Sequence, residues 1–377
     1  MIRKSDIQWW ILEAQKHPEA APQIIEGLAN RLIELDKQNE QLRNQILHMR
    51  RRKPTQNGSA QVKNLQREVK ALKGLLKGEL PSEPSVVFVG QQLQTARLTL
   101  YQVQEWIQQE RTVLDSRALF DLHQILLVRP NDELLLLTSQ GRGIKYLFAD
   151  VPMLEENGQW PEANRQLLQK GERITAATTM DKLPRFWTVI TRRGYTQRFV
   201  RVAFDHEVEK GNPLLKSPFR NDAPVSIVQG DRGDLLIITR WGKAVRFSQR
   251  VIETQGSVAL ELEPDDEVVT ALALSPGAQV FLTTASGSAT RFKATRVQAR
   301  SRPGGKGKTI IQAHDVLRSF AHISEAKLLY LASSGKLILI QDAYVPLQER
   351  ASRGKSLFNL ERDPALSAIQ IDKELLY

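Results

Sequence analysis

The sequence predicts a mainly β protein, a propeller-like array of five or six blades preceded by an α-helical coiled-coil arm. Two observations support this fold class. A nine-residue phrase, small-x-x-Gly-x-x-x-basic-aromatic, recurs around Gly141, Gly194, Gly242 and Gly287, and a fifth copy around Gly335 ends in Leu and Ile instead. The glycines are 53, 48, 45 and 48 residues apart, a period typical of propellers and repeat arrays. The chain before this array repeats its apolar residues at helical spacing instead.

The predicted arm consists of an N-terminal helix over residues 1–20 and coiled-coil helices over residues 21–80. In the second part, apolar residues alternate steps of three and four, as the a and d positions of a coiled coil do. The predicted dimerisation residues are Leu28, Leu32, Leu35, Asn39, Leu42 and Ile46. Because an asparagine at an a position favours one parallel two-stranded register, we expect a homodimer. An amphipathic helix packed on its own domain, or an intrachain helical hairpin, is the alternative.

Each copy of the phrase contains the parts of a β-hairpin. An apolar run such as residues 235–238 precedes the glycine, and short apolar runs bounded by turn residues are typical of buried strands. The glycine supplies the positive φ of a hairpin turn, and the basic-aromatic pair begins the returning strand. A further apolar run, such as residues 268–272, brings each unit to about four strands, which is the content of one propeller blade.

Residues 85–131 precede the first clear copy and allow two interpretations. A strand over residues 86–89 ends at Gly90, which lies 51 residues before Gly141, and this spacing favours a degenerate first blade. The alternative is a helix over residues 101–109 that caps the array. In both cases the β domain is expected to cover residues 85–377.

The repeats resemble the C-terminal repeats found in the A subunits of DNA gyrase and topoisomerase IV. Residues 298–308, Gln-Ala-Arg-Ser-Arg-Pro-Gly-Gly-Lys-Gly-Lys, also resemble the gyrase A box, a glutamine followed by basic residues and Gly-Gly-basic-Gly. The resemblance implies a β-pinwheel that binds and bends DNA around its rim. Pro303 stands where the family has a basic residue, and Gln298 is displaced from the glycines. Wrapping and simple binding therefore both stay open.

Basic residues are concentrated in and around this loop. Residues 285–310 contain seven basic side chains and no acidic one, whereas a solvated face normally mixes both signs. Arg and Lys neutralise phosphates, and glycines let the backbone approach them closely. The predicted DNA-binding residues are Arg291, Lys293, Arg296, Arg300, Arg302, Gly304, Gly305, Lys306, Gly307, Lys308, Arg198, Arg201, Arg240, Lys243, Arg246, Arg353 and Lys355. The structural alternative is that the repeated Arg-Phe pair packs between blades.

The composition favours an anionic partner and excludes several classes of protein. A net charge of +11 favours nucleic acid, and no apolar stretch approaches a membrane span, so no membrane partner is expected. The absence of cysteine excludes a disulfide scaffold, a thiol nucleophile and a cysteine-ligated zinc site. A cytoplasmic, nucleoid-associated location is the expectation.

No catalytic constellation emerges from the sequence. The six histidines lack paired ligand spacing, and the acidic residues 265–267 are interpreted as a turn rather than a metal site. Residues 304–309 do not meet the frame of a nucleotide-binding P-loop, because Pro303 occupies the position of its first glycine. The sequence therefore predicts a non-enzyme without metal or cofactor that binds double-stranded DNA. The alternatives are a propeller that meets an acidic protein and an accessory component of a separate topoisomerase.

Overall fold

The computed structural model describes residues 83–372 and residue 375, except residues 131, 162–163, 181–183, 323–325, 346 and 358–361. The described residues lie in one compact unit, Gly74–Tyr377. The predicted helical arm, residues 1–20 and 21–80, lies outside the described residues. The same holds for its predicted dimerisation residues, so the coiled coil stays a prediction.

Strands make up most of the regular structure in the described part. In chain order the strands are β1 (Ser85–Gly90), β2 (Thr95–Thr99), β3 (Leu122–Val128), β4 (Glu133–Thr138), β5 (Gly143–Leu147), β6 (Ile174–Met180), β7 (Phe186–Thr191), β8 (Tyr195–Val200), β9 (Pro224–Gln229), β10 (Asp234–Thr239), β11 (Lys243–Ser248), β12 (Ser257–Val258), β13 (Val268–Leu274), β14 (Gln279–Thr284), β15 (Ser288–Lys293), β16 (Ala299–Arg300), β17 (Lys308–Thr309), β18 (Val316–His322), β19 (Ala326–Ala332), β20 (Leu337–Gln341), β21 (Lys355–Ser356) and β22 (Ala365–Asp372). The α-helices are α1 (Leu100–Gln108), α2 (Ser116–Asp121) and α3 (Arg201–Lys210). Single 3-10 turns occupy Phe148–Asp150, Arg165–Leu167, Gln249–Val251, Ala294–Arg296 and Asp342–Tyr344.

The described strands form six sheets that share one strand order, and we call these sheets blades 1 to 6. In each blade a hairpin supplies the first and second strands, and a third strand returns antiparallel to the first. Written as second, first and third strand, the blades are β2-β1-β3, β5-β4-β6, β8-β7-β9, β11-β10-β13, β15-β14-β18 and β20-β19-β22. The third strands of consecutive blades contact one another, and β22 contacts β3, so the ring is closed. The predicted mainly β, propeller-like fold is confirmed.

The recurring phrase forms the tip of the hairpin in blades 2 to 6. Gly242 has a φ of +69°, in the left-handed region that favours glycine. Thr239 precedes it in the turn, and its hydroxyl oxygen accepts a hydrogen bond from the backbone N–H of Lys243 at 3.2 Å. The phrase ends at Phe247, which is fully buried. The phrase thus encodes a hairpin that is anchored in the core.

Each of five blades is tied to the next by a segment that we call the clasp. The clasp follows the second strand of one blade and donates a backbone N–H to the hairpin glycine of the preceding blade. These hydrogen bonds, 2.7–2.8 Å long, run from Leu214 to Gly141, Ala259 to Gly194, Ile310 to Gly242, Leu357 to Gly287 and Val113 to Gly335. In three clasps a two-residue strand is added to the preceding blade, because β12 pairs with β8, β17 with β11, and β21 with β15. The Val113 clasp joins blade 1 to blade 6 and closes the ring.

Residues 85–131 contain both the strands and the helix that the sequence allowed there. Strands β1 to β3 form blade 1, and α1 follows β2 through a capping box between Thr99 and Gln102. Trp106 of α1 is buried in an apolar cluster with Phe88 of blade 1 and Leu329 of blade 6. The helix therefore contributes to the joint at which the ring closes.

Apolar clusters between neighbouring blades hold the ring together. Leu236 of blade 4, for example, packs with Val280 and Phe292 of blade 5 and with Ile310 of a clasp. All four side chains are fully buried, and each such burial contributes roughly 1.5–3 kcal/mol. Every helix in the described part of the chain is too short or too polar to cross a membrane.

Candidate functional site

The segment that resembles the gyrase box, residues 298–308, forms a loop on the outer edge of blade 4, and we call it the box-like loop. Its chain position is in the repeat of blade 5. Both of its short strands nevertheless pair with β11 of blade 4: β16 runs parallel to β11, and β17 runs antiparallel to it. The loop borders an open cleft of about 910 Å³, which residues 297–305 and Lys308 help to line.

Internal hydrogen bonds fix the shape of the box-like loop. The guanidinium of Arg300 donates to the carbonyl oxygens of Gly304 and Lys306. Gly304 and Gly305 both have positive φ, and a Cβ on Gly305 would lie 2.7 Å from Nη1 of Arg300. The Gly304 N–H donates to the Ala259 carbonyl at 2.9 Å, which anchors the loop on the clasp of the neighbouring repeat. Arg300 thus organises the loop from within.

Other basic residues in and near the loop face solvent. Lys293, Arg302, Lys306 and Lys308 are exposed. The Lys308 ammonium donates to the Arg296 carbonyl at 2.9 Å, and Lys306 lies close enough to Glu263 to help Lys243 lower the pKa of that carboxyl. Lys293 and Arg302 have no hydrogen-bond or ion-pair partner among the described residues. Their charges are available to an external anion.

The basic residues of the repeated phrase do not share this exposure. The Arg198 guanidinium lies 3.9 Å from the ring centroid of Phe186, and this side chain is only 8% exposed. Burial lowers the pKa of Arg198. Arg246 pairs with Asp234 at 3.0 Å and donates to a carbonyl of blade 5, and Arg291 lies 3.8 Å from a carboxylate oxygen of blade 6. Here the structure differs from the predicted interface, because these side chains pack within and between blades.

Four further predicted contact residues are also engaged within the protein. Arg296 lies over the Phe292 ring at 4.9 Å and donates to backbone carbonyls. Ion pairs join Arg201 to Asp205 at 3.4 Å, Arg240 to Glu267 at 3.3 Å, and Lys243 to Glu263. Their charges are partly neutralised at short range, so they are weaker candidates than Lys293 and Arg302.

Blade 6 places a second pair of basic residues beside the first group. Arg353 and Lys355 are exposed on the clasp that docks on blade 5, and the Lys355 ammonium donates to the Tyr344 carbonyl at 2.7 Å. Lys355 lies opposite Ala289 of β15, just as Lys308 lies opposite Ala244 of β11. The two lysines therefore occupy equivalent positions on adjacent blades. The sequence carried this signal as Gly-Lys-Ser/Thr at residues 307–309 and 354–356.

The acidic residues 265–267 form a turn, as predicted. One carboxylate oxygen of Asp266 accepts the N–H of Trp241 at 3.0 Å in the hairpin of blade 4, while Glu267 pairs with Arg240. The same arrangement recurs in other blades, where carboxylates accept from hairpin N–H groups. The pairs are Asp222 with Arg193, Asp315 with Ser286, and Asp363 with Ser334.

A closed ring of clasped blades that carries a glycine-rich basic loop on its outer edge is a β-pinwheel. Residues 132–153, 233–275 and 278–318 match the family model described as the DNA gyrase C-terminal domain, beta-propeller. A solved structure of a DNA gyrase A C-terminal domain superposes with a TM-score of 0.62 and 18% identity, covering 77% of this chain and all of that one. The C-terminal domain of a DNA topoisomerase IV gives 0.53 and 17%, covering 78% of this chain and 95% of that one.

A full-length relative gives the same assignment. The DNA gyrase A protein of Deinococcus deserti is 24% identical over 264 residues, which is 65% of this chain and 32% of that protein. The chain therefore spans about a third of the length of this relative. The resemblance to the gyrase A C-terminal repeats is confirmed, and the fold is the gyrase-type β-pinwheel.

Proposed function

We propose that the chain is a non-catalytic DNA-binding protein that holds duplex DNA by its phosphates along the outer edge of the ring. The observation that carries this proposal is the box-like loop with the exposed cations Lys293, Arg302 and Lys306. A preorganised loop fixes the place of the contact, while long exposed side chains supply the charge. The similarity to gyrase A C-terminal domains supports the same partner.

The geometry of the clasps favours a curved rather than a straight contact. Lys308 and Lys355 repeat on adjacent blades that are related by rotation about the ring. A duplex that touches both lysines must follow the rim. Contacts of this kind involve the phosphate backbone rather than base edges, so we expect bending with little sequence preference.

Two other functions remain as alternatives within the same surface. An acidic protein would also be attracted to this rim, but it does not require lysines at equivalent positions on successive blades. The chain could also act as an accessory component of a separate topoisomerase, in which case the DNA contact is the same and co-purification identifies the partner. A homodimer through Leu28, Leu32, Leu35, Asn39, Leu42 and Ile46 would place two rims on one DNA.

The proposal is tested by gel shift of linear and circular duplex with the full chain. A double variant, Arg302→Ala with Lys306→Ala, removes two exposed charges and leaves the Arg300 hydrogen bonds intact. We expect its affinity for both DNAs to fall about tenfold, because two phosphate contacts are lost.

A charge-matched control separates this effect from net charge. Lys170 and Arg220 are exposed on turns that lead into the inner third strands, away from β11. The variant Lys170→Ala with Arg220→Ala should bind DNA within about twofold of the parent at equal ionic strength. Equal losses in the two double variants would refute a specific role for the box-like loop.

A further inference from the structure

The six third strands enclose a cavity of about 410 Å³ at the centre of the ring. Each third strand is irregular near its start, where its pairing with the first strand shifts register. The extra residue at each of these bulges lines the cavity. In order of blades these residues are His123, Thr175, Val225, Val269, Leu317 and Leu366.

The residues that follow the bulges form a second ring of equivalent positions. They are Gln124, Ala176, Ser226, Thr270, Arg318 and Ser367, each paired with the penultimate residue of its first strand. Arg318 is the one long cation among them. Five blades place a neutral side chain at this position, so closure of the ring does not require an arginine.

Arg318 extends from blade 5 to blade 1 without reaching a carboxylate. Its Nη1 donates to the Gln124 side chain at 3.4 Å, and the Gln124 amide donates onward to the Ala177 carbonyl at 2.8 Å. Protein surrounds the guanidinium on all sides, while the cavity keeps it in contact with water, and this burial lowers the pKa of Arg318. A buried cation without a counter-charge is costly unless an anion joins it.

Two further polar atoms of the cavity wall lack a partner. Nε2 of His123 and Oγ1 of Thr175 are buried and make no hydrogen bond within the described part of the chain. Burial, with Arg318 and Arg173 nearby, lowers the pKa of His123 to about 4. The imidazole is therefore neutral at pH 7 and can donate from Nε2, as the Thr175 hydroxyl can from Oγ1.

The charged groups at the mouth of the cavity are mostly satisfied. Glu267 pairs with Arg240 at 3.3 Å and with Arg192 at 3.8 Å, and an Asp315 oxygen accepts the Ser286 N–H at 2.7 Å. Both carboxylates are thus engaged with donors of their own, which limits their repulsion of an anion at Arg318.

We propose that this central cavity is a binding site for a phosphate group, held by the Arg318 guanidinium, the His123 imidazole and the Thr175 hydroxyl. A guanidinium with neighbouring neutral donors is suited to a tetrahedral oxyanion. The volume lies within the range of small-ligand pockets and exceeds the need of inorganic phosphate alone. The phosphate is either free or part of a small molecule such as a nucleoside monophosphate. This site lies inside the ring and is separate from the proposed DNA contact.

The test is a titration of the full chain with inorganic phosphate and, separately, with adenosine monophosphate, at constant ionic strength with chloride as the reference anion. Binding is measured by calorimetry and by the shift in melting temperature. Arg318→Ser introduces the residue found at the equivalent position of blades 3 and 6. Thr175→Val introduces the residue found at the bulges of blades 3 and 4. Both variants should fold.

We expect at least one of the two ligands to bind the parent, with a loss of affinity of about tenfold or more in Arg318→Ser and a smaller loss in Thr175→Val. The NMR signal of the His123 ring should titrate at higher pH with ligand bound, because the anion offsets the charge of Arg318. Tighter binding of the nucleotide than of free phosphate would identify the organic source. Failure of both ligands to bind the parent, or equal affinity in parent and Arg318→Ser, would overturn the proposal. The rim double variant should bind phosphate as the parent does.

Discussion

The clasp that ties blade 5 to blade 4 predicts a large cost for the substitution Gly242→Ala. Gly242 has a φ of +69°, which costs a residue with a side chain about 1–2 kcal/mol. An added Cβ would also lie 2.4 Å from the carbonyl oxygen of Ile311, a backbone atom that no rotamer change can move. Relief of this clash displaces the clasp and breaks its 2.8 Å hydrogen bond from Ile310, which is worth about 0.5–1.5 kcal/mol. We expect a total loss of about 3 kcal/mol in the free energy of unfolding.

The matched control is Gly277→Ala. Gly277 has a similar φ of +78°, but a Cβ there would meet nothing within 4 Å. Its substitution should cost only the backbone term, about 1 kcal/mol. Urea unfolding should therefore separate the two variants by about 2 kcal/mol, and melting temperatures by about 5 °C. Equal losses in both variants would refute the idea that the hairpin glycines are required by close approach of the clasp.

Three further predictions concern pH, a buried cation and the arm. Since the folded-state pKa of His123, about 4, lies below its ordinary value of 6.5, the unfolded chain binds a proton that the folded chain does not. Stability should fall by about 2–3 kcal/mol between pH 7 and pH 4.5, and His123→Gln, compared by urea unfolding at both pH values, should lack this component. Arg198→Ala should lower the melting temperature through the lost contact with Phe186 while DNA affinity changes less than in the rim double variant; the reverse pattern would place Arg198 in the DNA contact. Asn39→Leu should stabilise the predicted coiled coil but loosen its choice of oligomer, and light scattering that shows a strict monomer for the parent would contradict the dimer.

The hairpins were predictable because their determinants are local. A glycine with positive φ, a small residue three positions earlier and an aromatic residue five positions later lie within one nine-residue phrase, as residues 239–247 illustrate. The third strands followed from apolar runs such as residues 268–272. Each of these features can be recognised without knowing which blade lies beside it.

The clasps and the role of the phrase arginines were not predictable in the same way. A two-residue strand such as β17 has no periodicity, and its partner β11 belongs to another repeat. Whether Arg198 meets solvent or Phe186 depends on the neighbouring strand rather than on its own segment. Arg318 carried no sequence signal, because its meaning arises only when six third strands are compared around one cavity.

The central claim, that the rim meets DNA through phosphates, is tested most directly by the salt dependence of duplex affinity. The full chain is titrated with a linear duplex between about 50 and 200 mM salt. With four to seven phosphates neutralised, the slope of log affinity against log salt should be about −4 to −6. Arg302→Ala with Lys306→Ala should flatten this slope by about 2, since each lost contact removes about one unit. A parent slope near zero, or an unchanged slope in the double variant, would contradict the proposed contact.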